Sequence, residues 1–250
     1  MSATQTATDL RAVRVVCAGI YRSGSTWSFN VVRRLLEVTP PGREVAYDYA
    51  EPQELDNFVW RSLGGEHHVV KCHAGSNGFL DAVRAGFVHA VVFSLRDPMA
   101  ALASCVEQFC NREPFSREWT FERALDHIEE GLRFGDQLVG QPGVVFIDLH
   151  RNGEAASLER IVDFLGVVVA PAELAKIRDE FTFTAMRERS ERIAEQPAES
   201  LLRGINDPAT LMHANHVEKG AARDWRSELT AEQIAAATER FAPYGELVAQ

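Results

Sequence analysis

The feature that most constrains the fold is a buried strand that ends in a glycine-rich turn and leads into a helix. Residues 13–19 read VRVVCAG, a short apolar run ending in glycine, which is typical of a buried strand. After the turn IYRSGS, residues 26–38 (TWSFNVVRRLLEV) carry apolar side chains at helical spacing until Pro40 ends the pattern. Strand, glycine turn and helix in this order form the first unit of a parallel α/β sheet.

The same alternation of strands and helices continues along the chain. Further strands are predicted at 68–73, 89–95 and 144–149. Helices are predicted between or after them, at about 98–110, 120–139 and 154–165. We therefore expect an α/β fold in which helices flank a central parallel sheet, with ligands bound at the carboxyl ends of the strands.

The length of 250 residues suits one sizeable domain, and neither an internal repeat nor a linker is visible. We expect a single domain over residues 1–250, with residues 1–12 forming a disordered tail. Two polar stretches, 40–66 and 184–217, are predicted to be irregular. They are either lids over an acceptor site or plain surface loops.

Charge and cysteine usage exclude several classes of function. The formal net charge of −10 disfavours DNA, RNA and heparin-like polymers as partners. The N-terminus has no apolar stretch of signal-peptide length, and no window reaches the roughly 18 apolar residues of a membrane span. The four cysteines form no CxxC pair and are expected to be buried free thiols. These features predict a cytoplasmic protein without a nucleic-acid or membrane partner.

Residues 19–26 (GIYRSGST) nearly match the phosphate-binding pattern G-x-x-x-x-G-K-[ST], with Ser25 in place of the lysine. Gly19 and Gly24 permit a tight turn, and the amides that follow stand at the start of a helix, where the helix dipole favours an anion. We call residues 19–26 the anion loop. The cation is offset to Arg22, which suggests a nucleotide whose reacting end is not a β–γ phosphate.

Residues 21–27 (YRSGSTW) resemble the 5′-phosphosulfate-binding loop of sulfotransferases, usually Pro-Lys-Ser-Gly-Thr-Thr-Trp. Tyr21, Arg22 and Ser25 depart from that pattern, and Arg22 keeps the positive charge. The resemblance implies a P-loop-NTPase-like sheet and a sulfuryl transfer from 3′-phosphoadenosine 5′-phosphosulfate (PAPS) to a hydroxyl group of a small molecule. It implies that the donor is bound by Arg22, Ser23, Gly24, Ser25, Thr26 and Trp27.

Two further motifs are similar to the family's 3′-phosphate site. Arg96 begins the sequence Arg-Asp-Pro after a predicted strand, and Ser104 follows eight residues later, as in the family's Arg-Asn-Pro motif and its serine. Residues 218–225 (EKGAARDW) resemble the family's Arg-Lys-Gly-x-x-Gly-Asp-Trp, which implies that Lys219 and Gly220 close over the same phosphate. Glu218 departs from the family arginine, and we hypothesise that Arg223 supplies the missing charge.

Aromatic residues are implied to hold the adenine ring. Residues 181–186 (FTFTAM) are similar to the family's Ser-Phe-x-x-Met, which implies that Phe183 and Trp27 sandwich the base. Residues 146–149 (FIDL) are similar to Tyr-Glu-Asp-Leu, which adds Phe146 to the donor-binding residues without the family tyrosine's hydroxyl.

The candidate catalytic pair is Lys71 and His73, at the end of the predicted strand 68–73. Alternation along a strand places both side chains on one face. The segment resembles the family's Lys-Thr-His, in which the histidine is the catalytic base. A histidine suits removal of the acceptor's proton, and cations suit the charge that builds on the leaving phosphate. We therefore assign His73 as the base, with Lys71 and Arg22 stabilising the leaving group, and expect no metal.

Two other interpretations compete with this one. The first is a P-loop nucleotide or small-molecule kinase, against which the missing lysine argues. The second is a nucleotide-binding regulatory module, which would not need a base. His67 and His68 are the alternatives to His73 as base. The candidates for lining an apolar acceptor pocket are aromatic: Tyr47, Tyr49, Phe58, Trp60, Phe109, Phe115 and Trp119.

Overall fold

The computed structural model describes residues 12–39, 43–51, 54–55, 65–111, 117–197, 200–201, 206–213, 217 and 224–249. Its strands are β1 (Arg14–Gly19), β2 (Val45–Tyr49), β3 (His67–Lys71), β4 (Ala90–Leu95) and β5 (Val144–Asp148). Its α-helices are α1 (Ser25–Val38), α2 (Asn77–Arg84), α3 (Pro98–Cys105), α4 (Phe121–Leu138), α5 (Leu149–Leu165), α6 (Pro171–Glu180), α7 (Phe183–Ile193), α8 (Trp225–Glu228), α9 (Ala231–Phe241) and α10 (Gly245–Val248).

The five strands form one sheet in the order β2-β3-β1-β4-β5, and every neighbouring pair is parallel. Val16 of β1 lies beside Val70 of β3 on one side and Val91 of β4 on the other. All residues of β1 and β4 are buried, which explains why both strands read as nearly continuous apolar runs. The predicted α/β fold with a central parallel sheet and flanking helices is confirmed.

Helices cover both faces of the sheet, and the period-2 alternation of β1 divides its side chains between two hydrophobic layers. Val16 and Ala18 join one layer, which includes Phe79 of α2 and Leu132 of α4. Val15 and Cys17 join the other layer, which includes residues of α1, α5 and α6. The two layers hold the carboxyl ends of the buried strands in place. Because the strands are parallel, the loops that follow β1, β3 and β4 lie together at the carboxyl end of the sheet.

The predicted elements agree with the structure except at some ends. The strand predicted at 68–73 runs instead from His67 to Lys71. The helix predicted at 98–110 is α3 followed by a π-helical turn over Val106–Cys110. Helix α5 begins at Leu149 rather than at 154, because Asp148 caps a first turn that Gly153 (φ 76°, ψ 168°) then interrupts. A sequence pattern cannot register such an interrupted first turn.

The prediction that 40–66 and 184–217 are irregular is wrong in part. Strand β2 lies within the first segment, and helix α7 covers the start of the second. The three central residues of β2 are exposed at the sheet edge, so this strand has no apolar run to reveal it. Helices α2 and α6 were not predicted either.

Some expectations concern residues beyond those described. Residues 1–11 of the predicted tail lie outside the described ranges, as do Glu218, Lys219, Gly220 and Arg223. All four cysteines are free thiols, as predicted, and three of them are buried. Within the described ranges, no helix combines the length and apolar character needed to span a membrane.

Candidate functional site

The anion loop connects β1 to α1 and leaves backbone donors open. Helix α1 has Gly24 (φ 95°, ψ 15°) at its N-cap, with neither a side-chain cap nor an acidic residue in its first turn. The first intrahelical bond runs from Ser28 N–H to Gly24 O (3.0 Å), and the amides of Ser25, Thr26 and Trp27 meet no acceptor among the described residues. Open amides and the helix dipole together favour an anion at this point.

The turn before this helix is closed by Ser23 and fits only a glycine at its start. The Ser23 hydroxyl and its amide both donate to Ile20 O, at 2.7 Å and 3.3 Å. A Cβ on Gly19 would lie 2.5 Å from Ser94 O and 2.8 Å from Ser23 Oγ. Arg22 is held at φ 64°, a left-handed conformation that costs a non-glycine residue on the order of 1 kcal/mol. The surrounding contacts therefore over-determine the shape of this loop.

Arg22 connects the anion loop to the second predicted anion site. Its Nε donates to Ser104 Oγ at 3.0 Å, and Arg96 Nη1 donates to the Arg22 carbonyl at 3.2 Å. Arg96 and Ser104 are 8% and 5% exposed. They come together because Arg96 follows β4 directly, while Pro98 and the Asp97 cap start α3, on which Ser104 lies two turns later. The two predicted anion sites are therefore contiguous.

His73 is held by the same loop. Its Nδ1 lies 2.9 Å from Gly19 O, and because a carbonyl can only accept, Nδ1 carries the proton and Nε2 has a free lone pair. The imidazole stacks on the Tyr21 ring, with centroids 3.9 Å apart and an interplanar angle of 18°. Burial, reinforced by Lys71, lowers the pKa of His73 to about 3 against the bond to Gly19 O. The ring is therefore neutral at physiological pH and able to accept a proton.

Lys71 is the last residue of β3 and is only 6% exposed. Burial, with a smaller effect of the Arg22 charge, lowers the pKa of its ammonium group to about 8. Its Nζ lies 5.5 Å from the centroid of the Tyr49 ring, and the His73 ring lies 6.3 Å from the same ring. Because β3 ends at Lys71, strand alternation does not extend to His73. The fold nevertheless brings both side chains near the Tyr49 ring.

The other candidate histidines lie away from this site. His67 and His68 begin β3, at the opposite end from Lys71. His67 Nδ1 accepts the Val13 amide at 3.3 Å, and His68 Nε2 lies 3.1 Å from Glu66 Oε1. Both therefore support structure near the amino end of the sheet. Among the residues that the structure describes, no three histidine, cysteine or acidic side chains converge in the manner of metal ligands.

The residues predicted to hold adenine differ in their surroundings. Trp27 is 4% exposed, and its Nε1 donates to Phe181 O at 2.6 Å, which connects the start of α1 to the segment before α7. Phe183 is half-buried at the start of α7. Phe146 is buried in the core, with its ring centroid 5.6 Å from that of Phe93. The sandwich of Trp27 and Phe183 around a base therefore stays a prediction.

A cleft beside Arg96 contains residues that the sequence reasoning missed. Its volume is about 510 Å³, and its lining includes Arg96, His150, Arg151 and Arg226. The His150 ring lies 5.8 Å from the Phe183 ring, and burial, followed by the Arg96 charge, lowers the pKa of His150 to about 4. The available signal was the position of His150 just past β5, at the same sheet edge as the other candidate residues.

Several aromatic rings surround Tyr21. The centroid distances from Tyr21 are 5.7 Å to Trp119 and 5.1 Å to His127, and Phe109 lies 4.6 Å from Trp119. Of the aromatic residues predicted to line an acceptor pocket, Phe109 and Trp119 lie beside Tyr21, on which His73 stacks, and Tyr49 lies 6.3 Å from His73. Tyr47 is 42% exposed and packs against α1 instead, through Phe29 and Arg33. Phe58, Trp60 and Phe115 lie outside the described residues.

Comparison with known proteins adds a family and a fold. The model of the sulfotransferase domain family matches residues 89–249, so the anion loop and His73 precede the matched range. Among solved structures, the chain is similar to mouse sulfotransferase SULT7A1 complexed with PAP, with a TM-score of 0.62 and 17% sequence identity. That alignment covers 94% of this chain and 84% of the mouse chain. No curated protein sequence matches the chain.

Proposed function

Because the chain belongs to the sulfotransferase domain family, we propose that it transfers a sulfuryl group from PAPS to a hydroxyl group of a small molecule, with His73 as general base. The observation that carries this proposal is the convergence of two contiguous anion sites and a neutral histidine at one edge of the sheet. We also propose that residues 1–250 act as one domain, and that its free thiols place it in the cytoplasm.

The donor needs two anion sites because it carries charge at both the 3′ and 5′ positions of adenosine. The open amides of Ser25, Thr26 and Trp27 suit the 5′-phosphosulfate, and Arg96 with Ser104 suits the 3′-phosphate. Lys219 and Gly220 are proposed to complete the 3′ side, and Phe183 and Trp27 to hold the adenine. The mouse protein was solved with PAP, the donor without its sulfuryl group, and its similar fold supports this choice of donor.

Proton removal falls to His73 Nε2. The Gly19 carbonyl fixes the tautomer, since it holds the Nδ1 proton and leaves Nε2 to accept the proton of the acceptor hydroxyl. Burial keeps the His73 ring unprotonated before substrate arrives, and a pKa this low also makes the ring a weaker base than a histidine with a pKa near 7. Positioned general bases of this kind contribute typically 10²–10⁴-fold to the rate.

The developing charge on the leaving phosphate is proposed to be met by Lys71 and Arg22. Lys71 is buried beside the loop, where a cation interacts strongly because little water screens it. Its pKa of about 8 still leaves it mostly protonated near neutral pH. The Arg22 side chain bonds Ser104, so its guanidinium stands between the two anion sites and can serve either phosphate.

The kinase alternative has less support than sulfuryl transfer. Its reaction needs a lysine on the β- and γ-phosphates, and Ser25 occupies that position. The family match favours sulfuryl transfer over phosphoryl transfer.

The proposed function is tested by incubating the purified protein with PAPS labelled with ³⁵S and a panel of phenols and alcohols. We expect a labelled organic sulfate to form together with an equal amount of PAP. The His73→Gln variant should bind PAP as the wild type does but form product at least about 100-fold more slowly. Transfer of phosphate from ATP, with no turnover of PAPS across the panel, would refute the proposal.

A further inference from the structure

We propose that Tyr21 is a positioning residue, which fixes the plane of the His73 imidazole and keeps water from its face. The inference rests on the proposed role of His73 as general base. It concerns a position at which this chain departs from the loop that it resembles, where proline is usual.

Two contacts from one short stretch of chain define the orientation of His73. The bond of Nδ1 to Gly19 O (2.9 Å) fixes one atom but leaves the ring free to rotate about it. The stack on Tyr21, at 3.9 Å and 18°, removes that rotation by fixing the plane of the ring. Because Gly19 and Tyr21 both belong to the anion loop, the segment that faces the donor also sets the direction of Nε2.

Tyr21 can act as a rigid platform because its own ring is enclosed. Trp119 meets it at 5.7 Å and 63°, Phe109 at 6.5 Å and 88°, and His127 at 5.1 Å and 42°. Phe109 and Trp119 lie between α3 and α4, and His127 lies on α4. The packing around Tyr21 therefore connects the anion loop to this part of the helical structure. A platform packed on several sides holds its partner's angle more tightly than an isolated stacked pair would.

The titratable and charged groups that face His73 come from several elements. Lys71 lies at the end of β3, Tyr49 at the end of β2, and His127 on α4, while Glu51 and Glu130 act on Tyr21 itself. Lys71 and His127 both disfavour a proton on His73, and so does burial. Removing the Tyr21 ring while leaving these groups in place isolates how much the stacked ring contributes to the burial of His73, and so to the lowering of its pKa.

The experiment compares Tyr21→Phe, which keeps the ring, with Tyr21→Leu and Tyr21→Met, which fill volume without an aromatic face. In Tyr21→Leu and Tyr21→Met we expect kcat to fall about 10- to 100-fold, because a misplaced base loses its geometry, while the dissociation constant of PAP changes less than about threefold. The pKa of His73, measured by NMR of labelled imidazole, should rise by about one pH unit as water reaches the ring. Tyr21→Phe loses the hydroxyl that hydrogen-bonds the Tyr49 side chain but keeps the ring, so it should keep this pKa near the wild-type value and lose much less kcat than Tyr21→Leu.

Tyr47→Leu is the matched control, because Tyr47 is exposed on β2 and contacts Phe29 and Arg33 rather than the site. It should change neither kcat nor the pKa of His73. An unchanged imidazole pKa in both Tyr21→Leu and Tyr21→Met, or a loss in Tyr21→Phe as large as in Tyr21→Leu, would overturn the proposal. The NMR titration needs no turnover, so it distinguishes failure of this inference from failure of the proposed sulfuryl transfer.

Discussion

Replacing Gly19 by alanine tests whether the anion loop and the base depend on one close approach of the backbone. The added Cβ would lie 2.5 Å from the carbonyl oxygen of Ser94 and 2.8 Å from Ser23 Oγ. Ser94 O belongs to β4, a fully buried central strand, so it cannot move aside easily. The loop must therefore shift, and with it the Gly19 carbonyl that holds His73.

The size of the effect follows from these distances. Ordinary contact at this position would be about 3.4 Å, so the overlap with Ser94 O is close to 1 Å. Overpacking of that kind costs roughly 1–3 kcal/mol of unfolding free energy, which corresponds to a Tm lower by about 2–12 °C for a chain of this size. A displacement of about 1 Å at a catalytic group can lower the rate by about 10²-fold. We expect both losses in Gly19→Ala.

Thermal unfolding and steady-state kinetics measure the two losses separately. Gly245→Ala is the control, because a Cβ there meets nothing within 4 Å, and it should leave Tm and kcat close to wild type. If Gly19→Ala keeps wild-type kcat and PAP affinity, the loop does not depend on this contact and the reasoning is wrong.

Three more predictions follow from the site. His73→Ala should lower kcat by about 10²–10⁴-fold with little change in PAP affinity, as followed by product formation and calorimetry. Ser104→Ala removes the partner of Arg22 Nε and a proposed phosphate donor, so the KM for PAPS should rise about 10-fold or more, measured by initial rates; an unchanged KM would contradict the assignment. The pKa values of His73 and His150 are lowered to about 3 and about 4, so below the ordinary histidine pKa of about 6.5 the unfolded chain binds protons that the folded chain excludes. Unfolding free energy should therefore fall as pH drops from 7 to 5, by about 2 kcal/mol for each histidine, and the His150→Gln variant should show a shallower slope in urea unfolding; an equal slope would count against the buried state of His150.

The central strands of the fold could be predicted because buried strands consist mostly of apolar residues. Strands β1 and β4 are covered on both faces and read as nearly continuous apolar runs, while β2, whose three central residues are exposed, shows no such run. The start of α5 was missed for a different reason, because Asp148 and Gly153 create a short capped turn that no helical periodicity signals.

Parts of the site could be predicted for a similar reason. Arg22, Arg96 and Ser104 lie at fixed offsets from strand ends or helix starts, and the fold brings them into contact. The stacking of His73 on Tyr21 and the position of His150 depend on packing between segments that are distant in sequence. Local pattern cannot supply such contacts, which is why the environment of His73 emerged only from the structure.

The most direct test of the central claim, that one pocket binds both phosphates of a single nucleotide, is calorimetric titration of the protein with PAP and with adenosine 5′-phosphate. We expect PAP to bind at least about 10-fold more tightly in the wild type, since its 3′-phosphate adds charge-assisted hydrogen bonds. In Arg96→Ala that advantage should shrink to within about threefold, and the affinity for adenosine 5′-phosphate should fall less than the affinity for PAP, because Arg96 also donates to the Arg22 carbonyl of the anion loop. Equal affinities for the two nucleotides in the wild type would contradict the account.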